Sequence, residues 1–157
     1  METKTISTTI QVAQISELSV ADRELIEHAM RQTDKSYAPY SRFNVGAAVR
    51  LVDGSIIVGC NQENAAFGVT MCAERSALFA AGASHPDIAV TSIAIAARDS
   101  NGFTTEPISP CGMCRQAMIE TETRYRIPLR ILLYGSAHTY IIEGITCLMP
   151  LSFESFM

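Results

Sequence analysis

The chain has 157 residues, 48% of them hydrophobic and 18% charged, with 12 Lys and Arg against 16 Asp and Glu for a net charge of −4. This balance predicts one domain large enough to bury a core and excludes global disorder. The nearest approach to a basic cluster, Arg124, Arg126 and Arg130, is flanked by Glu120 and Glu122, so no stripe suits a nucleic acid and a small uncharged substrate is expected.

The first residues lack a basic start followed by an apolar run, so no signal peptide is expected. The longest apolar stretch, over 88–97, is too short to span a bilayer. A cytoplasmic protein without a membrane partner is therefore expected. Five cysteines, an odd number, point in a reducing compartment to metal or catalysis more than to a disulfide frame.

Residues 1–15 are rich in Thr, Ser and Gln, the pattern of a mobile or loosely docked arm, and residues 16–157 are expected to form a single domain. Ser19 can cap the next segment, with Asp22 three residues on as in a capping box. Val20, Leu25, Ile26, Ala29 and Met30 fall at helical spacing, which predicts an amphipathic helix over 20–35 covering one face of a sheet. His28 on that helix reads as a partly exposed side chain rather than a ligand. The helix breaks at Tyr37-Ala38-Pro39, because the residue before proline disfavours helical angles.

Strands are expected over 43–52 and 55–60, joined by the hairpin signal Asp53-Gly54. The small residues Gly46, Ala47 and Ala48 imply close packing on the first, and Cys60 reads as a small buried hydrophobe in the second. Asn61-Gln62-Glu63-Asn64 follows. It reads either as a plain turn or as a binding segment, since strand ends facing a helix start are where open α/β sheets bind ligands. Asn61 and Glu63 would share one side if extended geometry continues, and an amide with a carboxylate suits sugar hydroxyls.

A second helix is expected over 72–82, stopped by Gly82, and then a buried strand over 91–97. A polar loop over 98–109 leads to a third helix over 111–121, with Pro110 at its start. A strand over 129–134, a short strand over 140–142 and a helical turn over 146–148 complete the chain. This order predicts an α/β fold, a three-layer α/β/α sandwich with a mixed five-stranded sheet, and right-handed crossovers over 55–97 and 91–134.

The chemistry concentrates in Cys72-Ala73-Glu74-Arg75 and Pro110-Cys111-Gly112-Met113-Cys114-Arg115. Cys111 and Cys114 lie about 300° apart around a helix and share a face. All three cysteines sit at helix starts, where free N–H groups and the dipole favour thiolate. Three thiolates make a zinc set, and a catalytic zinc keeps an open position for a water whose pKa it lowers. Glu74 would stand beside it as the proton carrier. Three thiolates also leave the ion with a net charge of about −1, which opposes that acidification. Arg75 and Arg115 could offset it by donating to the sulfurs. Enclosure would raise the Glu74 pKa and zinc would lower it, so its direction stays open.

Cys-Gly-Met-Cys alone reads equally as a redox dithiol. The third thiol and the carboxylate, which a dithiol enzyme does not need, favour the metal. A closed structural zinc site would require a fourth ligand. Cys60, Cys147 and His138 are candidates, though none has ligand spacing to the others. His85 precedes Pro86 in a loop and is expected to face solvent.

Ligand-x-Glu followed by Pro-Cys-x-x-Cys resembles the zinc deaminase signature. With Tyr37-Ala-Pro-Tyr-Ser-Arg-Phe-Asn-Val-Gly, Gly59-Cys-Asn-Gln-Glu-Asn-Ala, Pro110-Cys-Gly-Met-Cys-Arg-Gln and Leu148-Met-Pro, the chain closely resembles the cytidine deaminase family over about 38–153. The resemblance implies one Zn2+ per chain held by Cys72, Cys111 and Cys114, with Glu74 as the catalytic proton shuttle. It implies that Asn61 and Glu63 hold the ribose 3′-hydroxyl, that Phe43 packs near the base, and that the Ala73 N–H donates to the pyrimidine 2-oxo group. Arg75 and Gln116 are similar to residues supporting the metal ligands. The three-cysteine form implies a homotetramer with composite sites, Phe67 and Phe153 matching positions that reach a neighbour's pocket.

The expected reaction is hydrolysis of cytidine and 2′-deoxycytidine to the uridines and ammonia. Blasticidin S deaminase shares Pro-Cys-Gly-Met-Cys-Arg but lacks both the arginine after Cys-Ala-Glu and the Asn-x-Glu-Asn set. The long arm, the 98–109 loop and Phe67, where a tyrosine is frequent, depart from the family pattern.

Overall fold

A computed structural model describes residues 1–154. A sheet of seven strands carries helices on both faces. The elements are β1 (Gln11–Ala13), α1 (Val20–Gln32), β2 (Asn44–Leu51), β3 (Ile56–Cys60), α2 (Ala73–Ser84), β4 (Val90–Asp99), β5 (Gly102–Phe103), α3 (Gly112–Tyr125), β6 (Arg130–Tyr134) and β7 (Thr139–Glu143). The strand order is β1-β7-β6-β4-β2-β3, with β5 paired to β4. Only β4 and β6 run parallel, joined through α3; the other neighbours are antiparallel. Among the described residues no helix is long and apolar enough to cross a membrane.

Alternation along the strands divides the core, because successive side chains point to opposite faces. Ala48, Ala94, Ala96 and Leu132 join Leu25, Ile26 and Ala29 of α1. Ala47, Val49, Ile93, Ile95, Ile131 and Leu133 join Ala77 and Leu78 of α2 and Met118 of α3. The α1 face of the sheet is alanine-rich, so α1 sits close. A Cβ on Gly46 would lie 2.0 Å from the Ala29 carbonyl oxygen. Ser19 caps α1, accepting from the Asp22 N–H at 3.0 Å. Asp22 also accepts from Arg130 Nη2 at 3.0 Å, tying α1 to β6 across the sequence.

The two strands beyond the five expected are short. The sequence reading placed β1 inside an arm, yet Gln11–Ala13 pairs with Thr139–Ile141 at the sheet edge. Three residues are too few to show a strand period. The loop expected over 98–109 holds β5, which folds back on the end of β4 through a turn at Ser100 and Asn101 that the pair Asn101-Gly102 closes, Gly102 having φ +112°. That pair is a hairpin signal of the same type as Asp53-Gly54.

Helix ends also shift. Gly82 lies inside α2, which stops at His85, the residue before Pro86. The third helix passes residue 121 and ends where Arg126 turns left-handed at φ 54°.

Candidate active site and metal centre

Cys72 and Cys111 are the N-cap residues of α2 and α3, each in extended backbone just before the helix. Cys114 lies in the first turn of α3 and is buried. Close packing aims these ends. A Cβ on Gly59 would lie 2.5 Å from the Ala77 nitrogen and 2.8 Å from the Ala73 carbonyl oxygen, so the first turns of α2 rest directly on β3.

The Cys72 and Cys111 sulfurs are 3.8 Å apart, and those of Cys111 and Cys114 are 3.5 Å apart. Two sulfurs bound tetrahedrally to zinc at about 2.3 Å stand about 3.8 Å from each other. The three thiols therefore fit one Zn2+ and leave a fourth position. Among the described residues they form the only cluster of three or more His, Cys, Asp or Glu ligand atoms. The candidates for a fourth ligand are engaged elsewhere. Cys60 meets the Lys35 carbonyl, Cys147 donates to the Glu143 carbonyl, and His138 pairs with Glu106.

The bare thiols share charge unevenly. The Cys114 thiol beside it, helped by Arg75 and Cys111 against the cost of burial, draws Cys72 down to about 5. Cys114 is pushed up, as donor to Cys72 and through burial and the Glu74 charge. Arg75 Nη2 stands 3.8 Å from the Cys72 sulfur. Its Nε is buried without a hydrogen-bond partner. Glu74 is 4% exposed, in the first turn of α2. Burial pushes its carboxyl above the ordinary range, and the Cys72 charge adds to this. Ala73 is fully buried between Cys72 and Glu74.

The segment after β3 is stitched to the Cys72 approach by backbone bonds. Gln62 N–H donates to the Met71 carbonyl at 2.9 Å, Met71 N–H returns a bond to Gln62 at 3.0 Å, and Glu63 N–H donates to Tyr37 at 2.8 Å. Asn61 turns inward. Its amide oxygen accepts from Ser36 Oγ and, at 2.8 Å, from Val45 N–H, while its NH2 donates to the Phe43 carbonyl at 2.9 Å. Phe43 is half-buried beside it.

Glu63 Oε2 accepts from the Tyr40 and Ser41 N–H groups at 2.8 and 3.2 Å. Bonds from Ser41, opposed weakly by burial and joined by the Tyr40 amide, hold its carboxyl below the ordinary range. Glu63, Tyr40, Ser41, Phe67 and Thr70 line a cavity of about 450 Å3. Tyr40, Ser41 and Thr70 carry no site role in the sequence reading, although Tyr40 and Ser41 lie within the motif at 37–46 that also holds Phe43.

Arg115 and Gln116 face other partners. Arg115 Nε donates to the Pro110 carbonyl at 2.8 Å and Nη1 to the Leu148 carbonyl at 2.6 Å, rather than to a sulfur. Gln116 donates to the Phe153 carbonyl at 2.9 Å. Phe67 and Phe153 are exposed, at 76% and 73%. A larger cavity of about 700 Å3 lies between α2 and α3, bordered by Arg75, Phe79, Met113 and Gln116.

Three thiols from two helix starts at the spacing of a tetrahedral metal, with a buried carboxylate in the first turn behind one of them, define a zinc hydrolase of the deaminase class. Comparison with known proteins agrees. Residues 19–128 match the family described as cytidine and deoxycytidylate deaminase zinc-binding region. The chain belongs to that family.

The cytidine deaminase of Halalkalibacterium halodurans is 49% identical over 100 residues, 63% of this chain and 71% of the relative. That of Sporosarcina psychrophila is 43% identical over 97 residues, 62% and 67% of the two chains. Among solved structures, a cytidine deaminase from Burkholderia pseudomallei aligns with TM-score 0.71 at 40% identity, covering 83% of this chain and 97% of that one. One from Mycobacterium tuberculosis aligns with TM-score 0.66 at 27% identity, covering 87% and 100%.

Proposed function

We infer that this protein hydrolyses cytidine and 2′-deoxycytidine to uridine and 2′-deoxyuridine with release of ammonia. The observation that carries this reading is the trio of sulfurs at zinc spacing with the buried Glu74 carboxylate beside them. Cys72, Cys111 and Cys114 hold the ion, which when bound supplies the Lewis acidity that lets a water lose a proton near neutral pH.

Glu74 would accept that proton and pass it to the pyrimidine ring nitrogen as the water oxygen adds to the amine-bearing carbon. It would then move the proton of the added hydroxyl to the amine, which leaves as ammonia when the C–N bond breaks. Burial that keeps its carboxyl basic suits both transfers. The Ala73 N–H orients the 2-oxo group, and Phe43 packs near the base. Glu63 takes the sugar together with the second N–H of the Asn61 amide, whose oxygen is held by Ser36 and Val45. Tyr40 and Ser41 engage one Glu63 oxygen, and the second accepts a hydroxyl. Arg75 lends its charge to Cys72.

Residues 16–157 serve as the catalytic domain, with the strand Gln11–Ala13 of the preceding arm joined to its sheet, in a cytoplasmic homotetramer whose composite sites use Phe67 and Phe153. Light scattering in solution tests the assembly, and a monomer would remove the composite sites.

Purified protein added to cytidine and 2′-deoxycytidine should replace their long-wavelength absorbance by the uridine spectrum with equimolar ammonia, at about one zinc per chain. Glu74→Ala should keep zinc and fold while losing roughly 10²–10⁴ in kcat. Zinc without turnover would overturn the substrate assignment, and full turnover in Glu74→Ala would overturn the proton carrier.

A further inference from the structure

The peptide ahead of each helix-capping cysteine is held at its carbonyl. Met71, before Cys72, accepts from Gln62 N–H at 2.9 Å and returns a bond from its own N–H at 3.0 Å. Pro110, before Cys111, has no N–H and cannot form such a reciprocal pair. Its carbonyl is held by a side chain instead, Arg115 Nε at 2.8 Å. The other branch of the same guanidinium holds the Leu148 carbonyl at 2.6 Å. Leu148 packs on the core shared by α2 and α3, so the far end of this brace is itself seated.

Cys111 depends on the brace more than the other two sulfurs do. It is the exposed member of the trio, whereas Cys114 is buried and Cys72 half-buried. Rotation of the Pro110–Cys111 peptide would swing the Cys111 sulfur alone, because Cys114 lies within the helix. Arg75 meets the Cys72 sulfur directly, whereas Arg115 reaches the centre through the backbone.

We propose that Arg115 is a positioning residue for Cys111, its fork clamping the Pro110 carbonyl to that of Leu148 and so setting the most exposed sulfur of the metal centre. The proposal rests on the zinc reading above. It makes the C-terminal segment around Leu148 part of the support of the metal rather than a trailing end.

The test uses the full chain as wild type, Arg115→Ala, Arg115→Lys and Asp22→Asn. Zinc is competed away with a chelator, and the thiolate-to-metal absorption of Co2+-loaded protein is recorded. Arg115→Ala should weaken metal binding about 10–100-fold and alter the cobalt spectrum. Arg115→Lys, able to reach one carbonyl but lacking the fork, should fall between.

Asp22, on α1 at the opposite face of the sheet, accepts from Arg130, so Asp22→Asn should lower the melting temperature with the cobalt spectrum intact. Wild-type affinity and spectrum in both Arg115 variants would overturn the proposal. So would an equal spectral change in Asp22→Asn, which would mark general loosening. If Arg115→Ala fails to fold, Arg115→Lys decides. Failure of the wild type to take up either metal would overturn the zinc reading itself.

Discussion

The metal pole of this site and the pole proposed to take the sugar are built differently. Cys72, Glu74, Cys111 and Cys114 stand on helix starts pressed against the sheet, with Gly59 admitting the α2 backbone where no Cβ fits. Asn61 and Glu63 stand on a segment outside regular structure, held by hydrogen bonds to Tyr37, Met71, Tyr40 and Ser41. Close packing transmits a displacement to everything resting on it, since interiors are as dense as organic crystals. A hydrogen-bonded loop loses one interaction at a time. The metal centre thus sits on the stiff half and the proposed recognition of the sugar on the adjustable half.

The sharpest way to break this comparison is Gly59→Ala. The added methyl must push the first turns of α2 off β3, costing about 1–3 kcal/mol and displacing Cys72 and Glu74 together. Chemical unfolding and zinc content should both fall. Full stability and metal in this variant would show that the contact is not what aims the helix.

Glu63→Ala should be gentler. It removes a carboxylate on the cavity wall and should raise KM for cytidine on the order of 10-fold, as loss of one charged hydrogen bond does, with zinc and folding retained. Unchanged cytidine kinetics would detach Glu63 from the sugar.

The smallest effect is expected remote from both poles, at Asp22. Burial works to raise its carboxyl but is outweighed by Arg130 and Ser19, so it lies below its ordinary value. The unfolded chain then holds more protons than the native one, and stability rises with pH through that window. The contribution is complete above the unfolded pKa of about 3.9 and is lost as pH falls through the native value. Asp22→Asn should cost about 1 kcal/mol at pH 7. The gap should narrow below about pH 4 in urea titrations. A gap independent of pH would assign the loss to packing rather than charge.

Much of the centre is legible from residue order. Helix starts at Cys72 and Cys111, a shared face for Cys111 and Cys114, and a carboxylate two residues past the first thiol are local properties. So are the two-faced strands and the turn at Asp53-Gly54. The partners of Arg115 were not legible. A sulfur was the expected acceptor, but the side chain folds back on Pro110 and reaches Leu148, 33 positions along the chain. Nor was the inward turn of Asn61, whose acceptor oxygen meets Ser36 and Val45.

What the sequence determined alone is therefore the list of reactive groups and their local settings, because caps, spacing and alternation act within a few residues. The tertiary structure decided which groups meet. Sulfurs 39 positions apart come within 3.8 Å because α2 and α3 pack on the same face of one sheet. That face is set by the alternation of several strands at once, and their pairing across the sheet is a property of the whole chain rather than of any stretch of it.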